Sequence, residues 1–383
     1  MSAGRRTRWA VGVLIALAEA APQLVGAQAV GSGGLLQSYR FDDANAAGLS
    51  EFTLLSTPFA VSLPVGDRVS IQAAGAFADA RALAPDGSEA TLSGLTDTEV
   101  GIALALGADR VVLTAGAALS TWQSTHSLTE AAVAGVVAAE LLPFAVINWG
   151  SGGGAGGDMA VAFQSGSWGI GFSGGYRAAN EYEPLTGETF AYRPGNQFRF
   201  RLALDRDIGG SGTFSVLVGM QSFTEDQLSG SNLFRSGNRI EGVLSYAFAV
   251  GLRSSALLYG GAYHKANGAL LVDESILEGA VDSPSQQLFT GGLDLRVQVD
   301  RKATILPGFD MRVFRSADGI GQGWVGTAGL TLDLILSGQR FSRRVALAPS
   351  ARYRLGHVIA AEGSESGLTG REVGVMLRME TGR

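Results

Sequence analysis

Cysteine is absent from this chain of 383 residues, and lysine occurs only at Lys265 and Lys302. The lack of cysteine excludes disulfides, thiolate chemistry and a lipoprotein anchor on an N-terminal cysteine. Charged residues are also scarce, at 17 % of the chain, against about 25 % in a typical soluble domain. Because the formal net charge is −6, the chain has no basic footprint, and we do not expect nucleic acid as a partner.

The N-terminus has the features of an export signal. Arginines at positions 5, 6 and 8 precede an apolar run over 10–18, and small residues follow it. This run is much shorter than the roughly 20 residues of a membrane-spanning helix, so we expect a cleaved signal peptide rather than an anchor. Cleavage is predicted after Ala27, with Ala29 as the alternative, and residues 28–383 then form a single domain.

Apolar and polar residues alternate along much of the remaining chain. In QFRFRLALDRD (197–207), Phe198 and Phe200 alternate with Arg199 and Arg201. Since successive side chains of a strand point to opposite faces, such a segment has one apolar and one charged face. The pattern predicts about sixteen strands, near 35–42, 50–63, 67–82, 96–106, 110–122, 158–165, 167–179, 194–207, 211–224, 238–250, 252–265, 286–300, 302–315, 322–337, 343–357 and 368–380.

Short and long connections take turns between these strands. Connections such as 107–110 and 250–253 are tight, whereas 84–95, 123–157 and 266–285 are long. This asymmetry is typical of a transmembrane up-and-down antiparallel β-barrel of the outer-membrane type, here with 14–16 strands, whose apolar face meets lipid. The alternative is a secreted soluble β-sandwich or solenoid with the apolar face as core. The export signal, the scarcity of lysine and the loop rhythm favour the barrel.

Charged residues recur on the face that is predicted to line the lumen. Both signs occur, so the pattern favours an internal network of salt bridges over a single-sign ring that selects ions. Direct contact with a polar solute remains the alternative. The lumen-lining candidates are Arg199, Arg201, Asp205, Asp294, Arg296, Asp310, Arg312, Asp333, Arg352 and Arg354.

Aromatic residues near the strand ends are candidates for the interfacial girdles of such a barrel. We expect these side chains to point outward, at the level of the lipid headgroups. The candidates are Tyr246, Phe248, Tyr259, Tyr263 and Tyr353.

The insertion 123–157 is the most unusual of the long connections. Ser127 and Glu130 have the spacing of a capping box, which predicts a short helix that Pro143 stops after about Leu142. Such a helix either braces the barrel rim as a plug or offers an apolar surface to a ligand. The apolar ligand or plug candidates are Leu141, Leu142, Phe144, Ile147 and Trp149.

Motifs of enzymes and cofactor sites are weak in this chain. Gly152, Gly154 and Gly157 have the spacing of a phosphate-binding loop, but a strand is predicted after them instead of a helix, so we interpret 150–158 as a flexible linker. The three histidines are scattered without metal-site spacing, and no cofactor or metal is expected. His264, at an outer strand end, is the one candidate base of a barrel hydrolase.

The segment LSGLTDTEVGIALAL (92–106) resembles the SGLGDT signature of outer-membrane transporters of hydrophobic compounds, the long-chain fatty-acid channels and their relatives linked to phenol degradation. The resemblance implies a monomeric barrel that moves apolar molecules without energy input. We therefore expect a non-enzymatic outer-membrane channel or passive transporter for small hydrophobic or amphipathic compounds. The alternatives are a structural or surface-interaction barrel with a sealed lumen, and a barrel-embedded hydrolase.

Overall fold

The computed structural model describes residues 28–107, 110–146, 149–209, 212–271, 283–319, 321–336, 343–359 and 364–381. The predicted signal peptide lies outside the described residues, as does Ile147. In these ranges the chain forms two short helices, α1 (Ala44–Ala47) and α2 (Leu128–Val137). The strands are β1 (Gln28–Phe41), β2 (Glu51–Val65), β3 (Val69–Leu83), β4 (Glu89–Leu95), β5 (Thr98–Leu106), β6 (Val111–Leu119), β7 (Gly154–Ser165), β8 (Trp168–Ala179), β9 (Tyr192–Arg193), β10 (Gln197–Asp207), β11 (Gly212–Phe223), β12 (Glu225–Leu228), β13 (Ser231–Arg235), β14 (Arg239–Ala249), β15 (Ser254–Lys265), β16 (Ala269–Leu270), β17 (Gln286–Gln298), β18 (Ala303–Ser316), β19 (Gln322–Ile335), β20 (Arg343–Ile359) and β21 (Glu365–Thr381).

The large sheet closes on itself. Each strand pairs antiparallel with its neighbour along the chain, and β1 pairs with both β2 and β21, from Gln28↔Thr381 to Phe41↔Leu368. Because β4 and β5 pair with successive halves of β3, they act as one interrupted strand. The barrel therefore has sixteen strand positions, which confirms the predicted fold. No helix among the described residues is long and apolar enough to span a membrane.

The two ends of the barrel differ. At one end, where β1 begins and β21 finishes, the connections are short, for example residues 66–68 and 166–167. At the other end residues 84–88 form a tight turn, because β4 takes up most of the predicted long connection 84–95, but several connections are long. Three of them contribute strands β9, β12, β13 and β16, which form a separate four-stranded sheet. The sequence predicted only loops there, because strands of two to five residues show no alternation.

The alternating faces of the barrel strands follow the sequence. In β10 the side chains of Phe198, Phe200 and Leu202 are exposed on the outer face, while Ala203 and Asp205 are buried on the inner face. Neighbouring strands continue the apolar outer face, because Leu202 lies opposite both Phe172 and Val218. The outer surface is thus a continuous apolar band.

Two of the five expected girdle aromatics face the other way. Tyr246, Phe248 and Tyr353 are on the outer face, but Tyr259 and Tyr263 point into the lumen, since they alternate with the exposed, outward Leu258. The sequence misled here because β15 has apolar residues on both faces.

The glycine-rich segment before β7 is not the flexible linker that the sequence predicted. β7 begins at Gly154, and Gly150 and Gly152 have φ angles of +69° and +75°, which favour glycine. A Cβ at Gly150 would overlap the ring of His126, and one at Gly152 would overlap Tyr182. These glycines allow the chain to pack tightly against the neighbouring long connection.

Candidate functional site: a charged chamber inside the barrel

The connection between β6 and β7 enters the barrel. Its helix α2 starts as predicted, because Glu130 N donates to Ser127 Oγ (3.2 Å) and Ser127 N donates to Glu130 Oε2 (2.8 Å). The helix ends at Val137, five residues before the predicted end, and Ala138 caps it. Residues 138–146, which we call the crossing segment, then continue without regular structure.

The crossing segment reaches from one wall of the barrel to the other. Glu140 forms a salt bridge with Arg239 of β14 (3.5 Å), while Gln37 of β1 donates to Pro143 O (3.0 Å) and accepts from Ala145 N (2.9 Å). The order of paired strands from β14 to β1 runs through β15, β17, β18, β19, β20 and β21. These two contacts therefore lie on nearly opposite sides of the lumen.

A small-residue wall makes room for this insertion. Ala76, Ala78, Ala80 and Ala82 of β3 all point inward and are buried. They belong to the same apolar core as Val133 and Val137 of α2 and as the crossing segment. Larger side chains in that row would occupy the space of α2, so alanine here is a requirement of the insertion.

The apolar plug candidates lie in this core. Leu141, Leu142, Phe144 and Trp149 are each at most 8 % exposed. Phe144 packs edge-on against Tyr39 (ring centroids 5.1 Å apart) and Phe52 (5.0 Å). These side chains therefore pack with the barrel wall and fill one side of the lumen.

The segment that carries the family resemblance anchors the end of the insertion. Asp97 sits in the gap between β4 and β5, where its carboxylate accepts from Gly150 N (3.2 Å) and Ser151 N (3.0 Å) and from the Ser151 hydroxyl. Thr96 Oγ1 in turn accepts from Ala76 N (3.0 Å), which fixes the gap to β3. Thr96 and Asp97 thus fix the end of the insertion to the barrel wall.

Next to the crossing segment the lumen holds a cavity of about 340 Å³, which we call the charged chamber. Pro143, Phe144 and Ala145 form one side of it. The barrel wall supplies its polar groups, namely Gln37, Tyr259, Thr290, Asp310, Arg312, Arg352, Arg354 and Glu372.

Half of the predicted lumen charges are held in salt bridges. Arg199 pairs with Asp158 (3.0 Å), Arg201 with Glu241 (3.4 Å) and Asp333 with Arg378 (2.9 Å). Both Arg352 and Arg354 bind Glu372, the former at 3.3 Å. Among the described residues, no salt bridge forms at Asp205, Asp294, Arg296, Asp310 and Arg312.

Arg354 is the most deeply buried of the chamber cations, with a side chain only 2 % exposed. Its Nη2 donates to Glu372, and its guanidinium lies 5.5 Å from the centre of the Tyr39 ring. Its Nε and Nη1 have no hydrogen-bond partner among the described residues. The chamber wall therefore contains donors whose bonding capacity is not used by the protein.

No family model matches this chain, and no curated protein matches its sequence. Solved structures with a similar architecture include a bacterial polysaccharide outer membrane secretin (10 % identity, TM-score 0.48, 94 % of this chain and 99 % of that chain). Two others are the CymD monoaromatic hydrocarbon channel (7 %, 0.45, 94 % and 90 %) and the outer membrane channel DcaP of Acinetobacter baumannii (10 %, 0.42, 94 % and 99 %). At these values the likeness identifies no family.

Several residues of the lumen wall were not among the predicted ones. Glu372 and Arg378 occupy the polar positions of an alternating strand, so the rule that found Arg352 applies to them as well. Gln37 has no such signal, because an uncharged residue in a glycine-rich strand does not stand out. Tyr259 was assigned to the wrong face.

Histidines do not contribute to the chamber. His264 lies on the outer face of β15, opposite Ile240, and is therefore separated from the lumen by the barrel wall. His357 is also on an outer face, opposite Trp324, and contacts Glu365 (3.2 Å). No group of three metal-ligating side chains occurs in the part of the chain that the structure describes.

Proposed function

We propose that this chain is an outer-membrane channel that passes small solutes passively through a lumen narrowed by the crossing segment. The observation that carries the proposal is the pairing of a continuous apolar outer face with a charged inner face in one closed barrel. Exposed Phe163, Phe172 and Phe200 belong to the outer face, and soluble monomers rarely expose apolar patches above a few hundred Å². Lipid is the natural partner of such a surface, and the barrel closes the backbone hydrogen bonds that lipid cannot satisfy.

Export to the outer membrane through a cleaved signal peptide is part of this proposal. A monomeric state is a further part of the proposal. N-terminal sequencing of the protein from membranes tests the first point, and the expected first residue is Gln28. Chemical cross-linking in native membranes tests the second.

The charged chamber favours amphipathic over wholly apolar solutes. Its wall carries guanidinium, carboxylate and amide groups, while Leu35 and Phe144 supply apolar contact on one side only. A hydrocarbon without a polar group would leave these charges without compensation for the water that it displaces. An amphipathic solute can satisfy both kinds of surface.

A sealed barrel is the second candidate, because the crossing segment and its core fill part of the lumen. Reconstitution of the full chain in planar bilayers separates the two functions. A channel gives discrete conductance steps in KCl and lets a small neutral sugar swell proteoliposomes. Absence of both, with a folded barrel in the same membranes, would reject the channel and favour the sealed barrel.

A hydrolase is disfavoured by the outward position of His264. The direct test is turnover of phospholipid and short-chain esters by the reconstituted chain. Turnover that is lost in His264→Ala would support the hydrolase instead.

A further inference from the structure

We infer that the charged chamber binds small zwitterions, of the chemical class of α-amino acids, with the ammonium and carboxylate groups on opposite sides of a glycine floor. This inference rests on the proposed channel function only for its biological use, because binding is measurable in a folded barrel that conducts nothing.

The glycine floor is defined by strand register. Asp294 of β17 lies opposite Gly308 of β18, Gly308 lies opposite Gly329 of β19, and Gly329 lies opposite Arg352 of β20. Two glycines thus separate an acidic and a basic side chain in one row across the inner wall. Three strand spacings of about 4.8 Å place the Cα atoms of Asp294 and Arg352 about 14 Å apart.

Both charged side chains lean over this floor. A Cβ at Gly308 would come within 2.5 Å of Asp294 Oδ1, and one at Gly329 would come within 2.5 Å of Arg352 Cγ. The two side chains therefore extend toward each other, yet they form no salt bridge. A gap between opposite charges is left over the floor.

Two further charged side chains extend this division. Asp310 of β18 lies diagonally next to Asp294, because it is opposite Gly292. Arg354 lies two positions from Arg352 on the same face of β20. Arg312, two positions from Asp310, and Glu372, which pairs with Arg352 and Arg354, carry the opposite sign to their neighbours. The Tyr259 side chain lies over Gly292, since a Cβ there would come within 2.5 Å of the Tyr259 hydroxyl.

Charge balance favours a zwitterion over an anion. The chamber lining carries three positive side chains, Arg312, Arg352 and Arg354, and two negative ones, Asp310 and Glu372. Asp294, at the far end of the glycine floor, adds a third negative charge, so floor and chamber together are neutral in total. A monoanion would satisfy the arginines and leave Asp294 and Asp310 unpaired, and a monocation would do the reverse. A solute with both groups satisfies both sides, and a volume of 340 Å³ is at the small end of the roughly 300–1,000 Å³ of ligand pockets.

Equilibrium dialysis of the folded full-length barrel in detergent tests the inference with three probes of similar size. These are leucine, 4-methylpentanoate, which lacks the ammonium group, and 3-methylbutylamine, which lacks the carboxylate. We expect leucine to bind at least tenfold more tightly than either, as for the loss of one hydrogen bond to a charged group. Equal binding of leucine and 4-methylpentanoate, or no binding of leucine, would overturn the inference.

Substitutions assign the two sides. In the double variant Asp294→Asn/Asp310→Asn, the affinity for leucine should fall about tenfold, while the affinity for 4-methylpentanoate is unchanged or rises. In Arg352→Gln, the affinity for leucine should fall, while the affinity for 3-methylbutylamine should not. Asp205→Asn and Arg199→Gln remove lumen charges on β10, which contributes no residue to the chamber lining, and should leave leucine binding unchanged. Loss of binding in these controls equal to that in the chamber variants would also overturn the inference. If a sugar swells the proteoliposomes but leucine binds no more tightly than the other two probes, the channel function is supported and only the zwitterion site is rejected.

Discussion

Phe144→Ala tests whether packing inside the lumen holds the crossing segment in place. Phe144 is 8 % exposed and contacts two aromatic rings of the barrel wall, on Tyr39 and Phe52. Truncation of a core phenylalanine to alanine costs about 3–5 kcal/mol, which includes about 0.5–1.5 kcal/mol for each aromatic pair. The barrel ladder does not depend on this ring, so the loss falls on docking of the segment.

A loss of about 3 kcal/mol changes the ratio of docked to undocked segment by about a hundredfold, since about 1.4 kcal/mol corresponds to a factor of ten. Hydrogen exchange read by mass spectrometry on the reconstituted barrel measures this ratio. We expect amide protection in residues 138–146 to fall by about a hundredfold, while strands such as β10 keep theirs.

The control is Phe163→Ala, which removes the same side chain from an exposed position on the outer face. It should leave protection of the crossing segment unchanged. A fall of less than about fivefold in Phe144→Ala would refute the docking argument. If protection falls as expected but conductance in KCl does not rise, the segment is docked in the lumen without restricting the current.

Three further predictions concern the same insertion. Asp97→Asn removes the charge that holds two amides and a hydroxyl, and exchange at Gly150 should rise by one to two orders of magnitude, with β3 unaffected. Ala78→Leu adds bulk to a fully buried position facing the insertion. It should displace α2 at a cost of about 1–3 kcal/mol, so that amide hydrogen exchange in α2 becomes faster. Unchanged exchange in α2 would contradict the packing of this helix against Ala78. Burial lowers the pKa of His126 from its ordinary value, and a hydrogen bond from the Ser127 amide lowers that of Glu130. Since the undocked segment then binds more protons, docking is stable above the ordinary imidazole pKa and weakens as pH falls through the lowered value. The protection factor near His126, which is corrected for the pH dependence of intrinsic exchange, should therefore fall on acidification; a protection factor that rises would contradict this sign.

Much of the barrel was predictable because lipid and lumen impose an alternation of period two. Phe200 and Arg201 fall on opposite faces as that rule requires, and the strand predicted near 194–207 ends with β10 but begins three residues before it. The rule fails where both faces are apolar, as at Leu257 and Leu258 of β15, and this reversed the orientation of Tyr259.

The charged chamber was predictable only in part. Arg352 and Arg354 were found because they alternate with apolar residues. The insertion that encloses the chamber depends on long-range contacts, such as those of Gln37 with the crossing segment and of Asp97 with Gly150. No local sequence pattern predicts these contacts, because neither partner differs from the residues that are usual in its own segment.

The proposed barrel requires that lipid contacts one face of the strands and that water contacts the other face. Two adjacent residues of β20 test this requirement directly. Arg352 and Tyr353 are both exposed but lie on opposite faces. Because the chain has no cysteine, Arg352→Cys and Tyr353→Cys each carry a single thiol. In proteoliposomes, a charged thiol reagent should modify position 352 at least tenfold faster, and a fluorophore on position 353 should be quenched by nitroxide on lipid chains. Equal modification of both thiols, without quenching at 353, would contradict a membrane-spanning barrel.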